Sequence, residues 1–333
     1  MPNPKIALVY DRVTTQFGGA EEVLQCLHEA FPEAPLFTGV YNPNTTPWAK
    51  KFQVISTFIQ NIPGAAAHHR LFAPLLPLAY EQLQLDAFDI IISISSAEAK
   101  GVITKPHQLH ICYLLTPTRY LYSHKNEYLD TISFIFRPFA KIALSYLTWW
   151  DNIAASRPDY YLPISQLVAQ RAGTYYPQSK ILPPLYPPFK ALAKSAAEST
   201  QNTSLPANYI LSYGRVVAYK KFDLVMEAAA QLNMPFVLVG DGPALAKIKK
   251  RAVELSQKNP TLKFYFLPHQ PKEILSQIIL NAQAVVFPAE EDFGISQAES
   301  MISGAKIILN KKSGAAELVA EMVANKSVTP QQK

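Results

Sequence analysis

Short runs of apolar residues alternate with longer amphipathic stretches along the whole chain. Continuous apolar runs are typical of strands buried on both faces of a parallel sheet, and amphipathic stretches between them are typical of crossover helices. The pattern predicts strands at Ile6–Tyr10, Pro35–Val40, Asp89–Ser93, His110–Leu114, Tyr160–Ile164, Tyr209–Tyr213, Phe236–Val239, Lys263–Leu267, Ala284–Phe287 and Lys306–Leu309. We therefore predict an α/β protein with parallel sheets.

Proline and small polar residues divide this pattern into two halves. The proline-rich segment Pro183–Pro188 is followed by an Ala/Ser/Thr-rich stretch at 191–204. Proline fixes φ and lacks an N–H, so it does not fit helix interiors or central strands. We predict two Rossmann-like, doubly wound domains at 1–190 and 205–333, joined by a linker at 191–204. Ligands of such folds bind at the carboxyl ends of the strands, so a cleft between the domains is the expected site.

Composition narrows the class of ligand. Of the 333 residues 49% are hydrophobic and 17% are charged, which excludes a disordered chain. The net charge of +6 comes from scattered Lys and Arg, which suits an anionic small molecule or a bilayer surface better than a nucleic acid. Cys26 and Cys112 match no metal-ligand spacing, and we predict two buried free thiols.

The sequence also bears on localisation. The chain opens directly into an apolar run at Lys5–Tyr10 that suits a first core strand better than a signal peptide. No apolar run reaches the roughly 18 residues needed to span a bilayer. We expect a cytoplasmic protein, either soluble or held peripherally at the inner face of the plasma membrane.

The most informative segment carries two carboxylates, Glu291 and Glu299. It follows the predicted strand Ala284–Phe287 and contains Gly294, where we predict that a helix begins. Glu299 would then lie about 7–8 Å along the helix axis at about 1.5 Å per residue. Free amides and the helix dipole favour phosphate at this end. A sugar nucleotide, with hydroxyls to hold on both sides of a diphosphate, fits this arrangement. The alternative is a solvated loop carboxylate at Glu291 and a helix-face carboxylate at Glu299.

Other polar residues also follow predicted strands. Arg215 and Lys220 come after Tyr209–Tyr213 and could hold a diphosphate, or could be solvated surface charges. Gly18 and Gly19 precede a predicted helix; they would let its backbone approach an anion, or would simply form a tight turn. They are not part of a GxGxxG motif, which argues against a dinucleotide oxidoreductase. His269 could edge a nucleobase pocket or be an ordinary loop histidine.

Four segments in this order resemble the family 4 glycosyltransferases, which have the two-domain GT-B fold, near the mannosyltransferase-like branch of bacterial surface-glycan synthesis. The segments are Gly18–Glu21, Thr116–Tyr120, Gly214-Arg215 with Tyr219-Lys220, and Glu291–Met301. The resemblance covers almost the whole chain.

The resemblance implies a retaining, metal-independent hexosyltransferase without a cofactor. Its donor would be a GDP- or UDP-linked sugar, with mannose as the hexose suggested by the branch, and its acceptor a glycan or a lipid-linked sugar. Arg215 and Lys220 would bind the diphosphate and stabilise its departure, and Glu291 would contact the sugar hydroxyls. The remaining implied contacts are the backbone of Phe293, Gly294 and Ile295 around sugar and phosphate, Glu299 on the ribose, Gly18 and Gly19 over the diphosphate, and Arg119 and Tyr120 on the acceptor side.

Two departures from the family pattern keep rival functions open. Leu115 stands where many relatives have a histidine before Thr-Pro, with His110 and His124 nearby in sequence. The second domain also looks truncated at its C-terminus, with a polar tail at 325–333 that we expect to be frayed. One rival is a catalytically impaired nucleotide-sugar-binding protein of the same fold, and another is a sugar-nucleotide epimerase, which would need converging acid and base groups. A glycosidase is disfavoured because no two carboxylates pair around one bond.

An aromatic stretch at 131–150 has two interpretations. It contains several Phe, Leu and Trp residues with Arg137 and Lys141. A helix of this composition could lie on anionic lipid, which would suit a lipid-linked acceptor. It could equally be a core helix packed on its own sheet. We favour the core helix.

Overall fold

The computed structural model describes residues 3–15, 17–130, 132–192 and 205–324. It divides into two compact units, Met1–Pro188 and Phe189–Lys333. All but the first two residues of the expected linker, and the expected frayed tail, lie outside the described residues.

Unit 1 is built on a six-stranded sheet whose paired strands all run parallel, in the order β3-β2-β1-β4-β5-β6. The strands are β1 (Ile6–Tyr10), β2 (Leu36–Thr38), β3 (Val54–Ser56), β4 (Ile90–Ser95), β5 (Leu109–Leu114) and β6 (Tyr160–Pro163). Five of the six match predicted strands. The sequence did not predict β3, because this half-buried edge strand is too short to form an apolar run.

The helices of unit 1 connect these strands. They are α1 (Gly19–Ala30), α2 (Ala65–His68), α3 (Leu76–Glu81), α4 (Lys125–Asp130), α5 (Arg137–Ala154) and α6 (Gln166–Tyr175). Short 3₁₀ helices lie at Pro47–Lys51, Phe58–Asn61, His69–Leu75 and Ala99–Gly101. At α6 the cap is visible: Ser165 Oγ accepts a hydrogen bond from the amide of Val168, which satisfies one of the free donors of a first helical turn.

Unit 2 has a five-stranded parallel sheet in the order β11-β10-β7-β8-β9. Its strands are β7 (Ile210–Tyr213), β8 (Phe236–Val239), β9 (Phe264–Leu267), β10 (Ala284–Phe287) and β11 (Ile307–Leu309). Its helices are α7 (Phe222–Gln231), α8 (Leu245–Lys258), α9 (Lys272–Asn281), α10 (Ile295–Ile302) and α11 (Ala315–Ala324), with a 3₁₀ turn at Ala218–Lys220. Apolar clusters pack on both faces of this sheet, which is why its strands read as continuous apolar runs.

Helix α5 corrects our expectation for the aromatic stretch. One side packs inward, with Leu144, Leu147 and Trp150 each at most 4% exposed. On the other side Phe139 is 70% exposed and Trp149 is 61% exposed. Core packing therefore accounts for only half of the apolar residues, because helix α5 is apolar on two sides and only one of them meets the unit.

Two further observations concern expectations from the sequence. Neither cysteine forms a disulfide among the described residues, but only Cys112 is buried; Cys26, on α1, is exposed, so its predicted burial is wrong. Among the described residues, none of the helices combines the length and the apolar character that crossing a membrane requires.

Candidate functional site

The candidate site of unit 2 lies where its strand order reverses. From β7 the chain proceeds outward through β8 and β9, whereas β10 and β11 lie on the other side of β7. Ligands of open α/β sheets bind at the carboxyl ends of the strands at such a switch point. The loops that follow β7 and β10 carry the two segments that the sequence marked, one with Lys220 and the other with Glu291.

Lys220 and Glu291 meet at this edge. The Lys220 Nζ lies 3.1 Å from Glu291 Oε1, and the two side chains are 18% and 17% exposed. The pair is thus accessible from solvent but mostly enclosed. A lysine ammonium in this setting is a point charge that phosphate oxygens could share with the carboxylate. The structure brings together the two residues that the sequence placed on different loops.

Helix α10 begins shortly after Glu291 in the chain, at Ile295. Gly294 caps the helix with a left-handed backbone, φ 90° and ψ 63°, a conformation that L residues with a Cβ adopt rarely. Side chain atoms of Gln297 lie 2.7 Å from where a Cβ on Gly294 would be. The first amides of α10 have no intrahelical acceptor and carry the positive end of the helix dipole, which makes this end suited to an anion.

The loop after β11 contacts the backbone of Glu291 and holds it in place, a contribution that was not predicted from the sequence. The amide of Gly314 donates to the Glu291 carbonyl at 2.9 Å. A Cβ on Gly314 would overlap the Asp292 carbonyl oxygen and lie 2.8 Å from the Phe293 Cα. Only glycine allows this approach of two backbones. The signal available in the sequence was Ser313-Gly314, a small pair between a strand and a helix.

Gln297 extends the same support into the first turn of α10. Its side chain is buried, and its Oε1 accepts a hydrogen bond from Ser313 Oγ at 2.7 Å. Its buried Nε2 has no hydrogen-bond partner among the described residues. A buried amide N–H without a hydrogen-bond partner costs free energy, so its presence in a folded protein calls for a functional or packing reason. Gln297 and Ser313 together fix the start of α10 relative to the loop after β11.

Glu299 lies within α10 and is partly buried. Its charge acts on Tyr213, the last residue of β7, whose hydroxyl donates to the Ser296 carbonyl at 2.7 Å and lies 2.8 Å from Ser300 Oγ. Burial raises the pKa of Tyr213, and the nearby Glu299 carboxylate raises it further. In the chain Glu291 precedes the start of α10 and Glu299 lies inside the helix. That the two carboxylates bracket a bound diphosphate stays a prediction.

The remaining residues assigned to the donor are spread around this edge. Arg215 follows β7 and is exposed, and its side chain makes no hydrogen bond to another described residue. Phe293 is 2% exposed and its ring lies 5.8 Å from that of Phe189, so its side chain belongs to the packing of unit 2. Ile295 is the first residue of α10. His269 is exposed after the edge strand β9, and its role stays a prediction.

Unit 1 has a switch point of its own, between β1 and β4. Asp11, directly after β1, is buried and accepts hydrogen bonds from the amides of Ser96 and Ala99 at 2.6 and 2.8 Å. This carboxylate therefore fixes the loop after β4. Arg12 pairs with Glu98 at 2.6 Å, and Glu98 also accepts a hydrogen bond from Tyr120. The sequence reading did not single out Asp11 or Glu98.

Gly18 and Gly19 mark the start of α1, as predicted. Gly18 is the residue before the helix and has an extended backbone. Glu21, in the first turn, is buried and accepts hydrogen bonds from Tyr10 and Thr15. Burial raises the pKa of the Glu21 carboxyl above its usual range. The two glycines thus sit at a helix N-terminus of unit 1, and their contact with a diphosphate stays a prediction.

Two side chains of the proposed acceptor-side segment, Thr118 and Tyr120, make hydrogen bonds within unit 1. Thr118 donates to the buried Asp151, which also pairs with Lys100, and the Tyr120 hydroxyl is used by Glu98. Arg119 has a buried Nε without a hydrogen-bond partner, although other contacts engage the residue. The acceptor roles of Arg119 and Tyr120 stay predictions. The Tyr120 hydroxyl already donates a hydrogen bond to Glu98 within unit 1.

Neither neighbouring histidine has an evident replacement role for Leu115. His110 is fully buried within β5, where its Nε2 lies 2.8 Å from Ser93 Oγ, and burial lowers its pKa to about 4. His124 is partly buried and its Nδ1 lies 2.7 Å from Ser123 Oγ. His110 is part of the core of the sheet and cannot reach a ligand.

Comparison with protein families gives a match over the second half. Residues 195–333 match the family model described as "Glycosyl transferases group 1". The matched segment includes Lys220, Glu291, the α10 N-terminus and Gly314, all of the features described at the switch point of unit 2. A comparison with curated proteins gave no match.

Solved structures match over almost the whole chain. HepE from Anabaena, in complex with UDP and glucose, has 17% identity and a TM-score of 0.63, covering 95% of this chain and 83% of that one. Sucrose-phosphate synthase from Thermosynechococcus elongatus has 16% identity and a TM-score of 0.59, covering 96% and 90%. The lipopolysaccharide outer core galactosyltransferase WaaB has 19% identity and a TM-score of 0.55, covering 93% and 81%. At these identities the likeness shows the fold, and it confirms the predicted GT-B class of two Rossmann-like α/β domains.

Proposed function

We propose that this protein is a family 4 glycosyltransferase that moves a hexose from a nucleoside-diphosphate sugar to a glycan or lipid-linked acceptor. One observation carries the proposal: the Lys220–Glu291 pair, 3.1 Å apart, at the open N-terminus of α10. It supplies a cation and helix amides for a diphosphate and a carboxylate for sugar hydroxyls. The family match over residues 195–333 supports the same assignment.

In this proposal the donor lies along the carboxyl ends of β7 and β10. Lys220 and the exposed Arg215 offset the charge that develops on the diphosphate as the bond from the sugar carbon to its phosphate oxygen breaks. The acceptor hydroxyl oxygen forms the new bond to that carbon, and its proton passes to the leaving phosphate.

Glu291 orients the sugar, Glu299 contacts the ribose, and Gly18 and Gly19 approach the diphosphate. Retention of configuration and independence from metals are parts of the proposal that the family resemblance suggests.

The donor and acceptor are also proposed by class. HepE binds UDP and glucose, and WaaB is a galactosyltransferase, so the solved structures with this fold include hexosyltransferases and UDP binders. A GDP- or UDP-linked hexose is accordingly the proposed donor, with mannose suggested by the branch that the sequence resembles.

Turnover of a panel of GDP- and UDP-hexoses tests the proposal. The assay measures nucleoside diphosphate released in the presence of glycan and lipid-linked acceptors. We expect turnover in the wild-type protein and a loss of about 10²-fold or more in Lys220→Ala and Glu291→Ala, as for other groups that stabilise a developing charge. The matched control is the Arg251–Glu227 pair of the same unit, a surface ion pair at 2.9 Å whose side chains are 40% and 42% exposed.

The outcomes separate the rival functions. Arg251→Ala and Glu227→Ala should keep wild-type turnover. Wild-type turnover in Lys220→Ala and Glu291→Ala would refute the assigned site. Saturable binding of nucleotide sugar without transfer to any acceptor would favour a binding protein of the same fold, and interconversion of two nucleotide sugars would favour an epimerase.

A further inference from the structure

One side of helix α5 presents an apolar surface that nothing in the described residues covers. Phe139, Ile142, Tyr146, Trp149 and Ile153 are between 39% and 70% exposed. Their spacing of three and four residues places them on one side of a helix with about 3.6 residues per turn. The buried residues of the same helix, including Leu144, Leu147 and Asp151, have the same spacing on the other side. We use the name α5 face for this exposed side together with the exposed apolar residues Phe134, Ile135, Phe136, Leu71 and Leu75.

The segment before α5 continues this surface. Phe134, Ile135 and Phe136 are 77%, 61% and 62% exposed. From Phe139 to Ile153 the helix alone spans about 21 Å at about 1.5 Å per residue. Monomeric soluble proteins rarely leave so many adjacent large apolar side chains in water, and a surface of this kind marks an interaction site.

A second exposed apolar segment packs beside α5. The 3₁₀ helix His69–Leu75 contacts α5 through Ala73, which lies against the cluster of Leu121, Leu144 and Leu147. Leu71 on this segment is 78% exposed, and Leu75 is 42% exposed. The apolar surface is therefore not confined to one helix.

The charges and the side-chain types indicate what covers the α5 face. The acidic residue of α5, Asp151, is buried against Lys100, whereas Lys141 is exposed. Arg137, the other basic residue of this helix, lies 3.5 Å from the exposed Asp130 and is partly neutralised by it. Arg70, on the neighbouring segment, is exposed and adds a further cation. Aromatic residues with a cationic margin on a helix suit the interface of an anionic bilayer, where rings lie at headgroup depth and lysines reach the phosphates.

We propose that the α5 face docks this protein on an anionic lipid bilayer. The helix lies in the plane of the membrane surface with Phe139, Ile142 and Trp149 inserted among the acyl chains. Lys141 and Arg70 contact lipid phosphates. The inference rests on unit 1 and does not depend on the donor chemistry proposed for unit 2, so each can fail without the other.

Vesicle binding tests the docking surface. The full chain is sedimented with vesicles of phosphatidylcholine alone and with vesicles of equal parts phosphatidylcholine and phosphatidylglycerol. We expect binding to the anionic vesicles that weakens as salt is raised, and weak binding to the neutral ones. The double variant Phe139→Ser with Trp149→Ser should bind the anionic vesicles at least about tenfold more weakly.

The control removes a comparable pair of exposed apolar residues from the other unit. Leu224 and Leu232 are 57% and 67% exposed, and Leu224→Ser with Leu232→Ser should bind vesicles like the wild type. Circular dichroism of both variants checks that each is folded. Because Trp149 is exposed and Trp150 is buried, a blue shift of tryptophan emission on vesicle addition should disappear in Trp149→Phe while binding persists.

Three results would overturn the proposal. The first is a wild-type chain that does not bind anionic vesicles, and the second is a face variant that binds them as well as the wild type does. The third is a dimer in analytical ultracentrifugation that Phe139→Ser with Trp149→Ser dissociates, without vesicle binding by either protein. That result would assign the α5 face to a second copy of the chain.

Discussion

At the scale of single residues, backbone packing decides where the key carboxylate lies. Glu291 is held by its own carbonyl, which accepts the Gly314 amide, and by the close approach of Gly314 to the backbone of Asp292 and Phe293. The Glu291 side chain is thereby left to pair with Lys220. If Glu291 has the proposed role, a displacement of this loop should lower turnover, because catalytic groups tolerate little misplacement.

Gly314→Ala tests this support. The added Cβ meets backbone atoms that cannot rotate away, so we expect a loss of about 1–3 kcal/mol in the free energy of unfolding and a fall of at least about tenfold in donor turnover. Urea denaturation and the diphosphate-release assay measure the two effects.

Gly173→Ala is the matched control. Gly173 lies inside α6, and no atom lies within 4 Å of the position of an added Cβ. Alanine there should stabilise the helix by about 0.5–1 kcal/mol and leave turnover unchanged. Unchanged turnover in Gly314→Ala as well would show that this glycine does not position Glu291.

At the scale of elements, strand β5 contains a buried titratable group. His110 is fully buried, its Nε2 lies 2.8 Å from Ser93 Oγ, and its amide donates to Asp159 at 2.8 Å. Burial lowers the pKa of His110 to about 4 from the ordinary value of 6.5. Between these two values the unfolded chain binds a proton at this residue and the folded chain does not, so stability must fall as the pH drops through this range.

We expect this histidine to remove about 3 kcal/mol of stability between pH 6.5 and pH 4, at about 1.4 kcal/mol per unit of pKa difference. His110→Gln removes the titration and should flatten the pH dependence by a comparable amount. Urea denaturation at several pH values in this interval measures it. Parallel pH profiles for the variant and the wild type would contradict the prediction. His69, whose burial also lowers its pKa to about 4, leaves a dependence of the same sign in the variant.

Comparing the observed helices and strands with the predicted ones shows which features local sequence patterns can predict. The predicted strands and the beginning of α10 near Gly294 agree with the structure because apolar runs and a glycine before a helix are local signals. The edge strand β3 was not predicted. For α5 the sequence left two interpretations open, and the favoured core helix does not account for its exposed side. A helix that is apolar on two sides has a pattern that does not say which side is covered.

At the scale of the whole molecule, the two units offer separate probes. The three tryptophans, Trp48, Trp149 and Trp150, all belong to the unit that spans Met1–Pro188. The proposed donor contacts at Lys220 and Glu291 belong to the other unit. Tryptophan fluorescence therefore follows unfolding of unit 1, whereas circular dichroism follows both.

We expect a nucleotide sugar to stabilise unit 2 preferentially. At a concentration about 100 times its Kd, a ligand that binds only the folded state adds about 2.7 kcal/mol. The melt followed by circular dichroism should therefore shift upward more than the melt followed by tryptophan fluorescence. A shift confined to the fluorescence signal would place the dominant donor contacts in unit 1 and contradict the assignment to β7 and β10.

The sequence alone determined the two α/β units, nearly all of their strands and the loops that carry candidate chemistry, because strand burial and helix starts leave local patterns. The tertiary structure decided which of those loops meet. Lys220 reaches Glu291 because β7 and β10 are neighbours in the sheet, and Ser313 and Gly314 support the site because β11 lies on the other side of β10. Strand order depends on packing between segments far apart in the chain, and no local pattern records it.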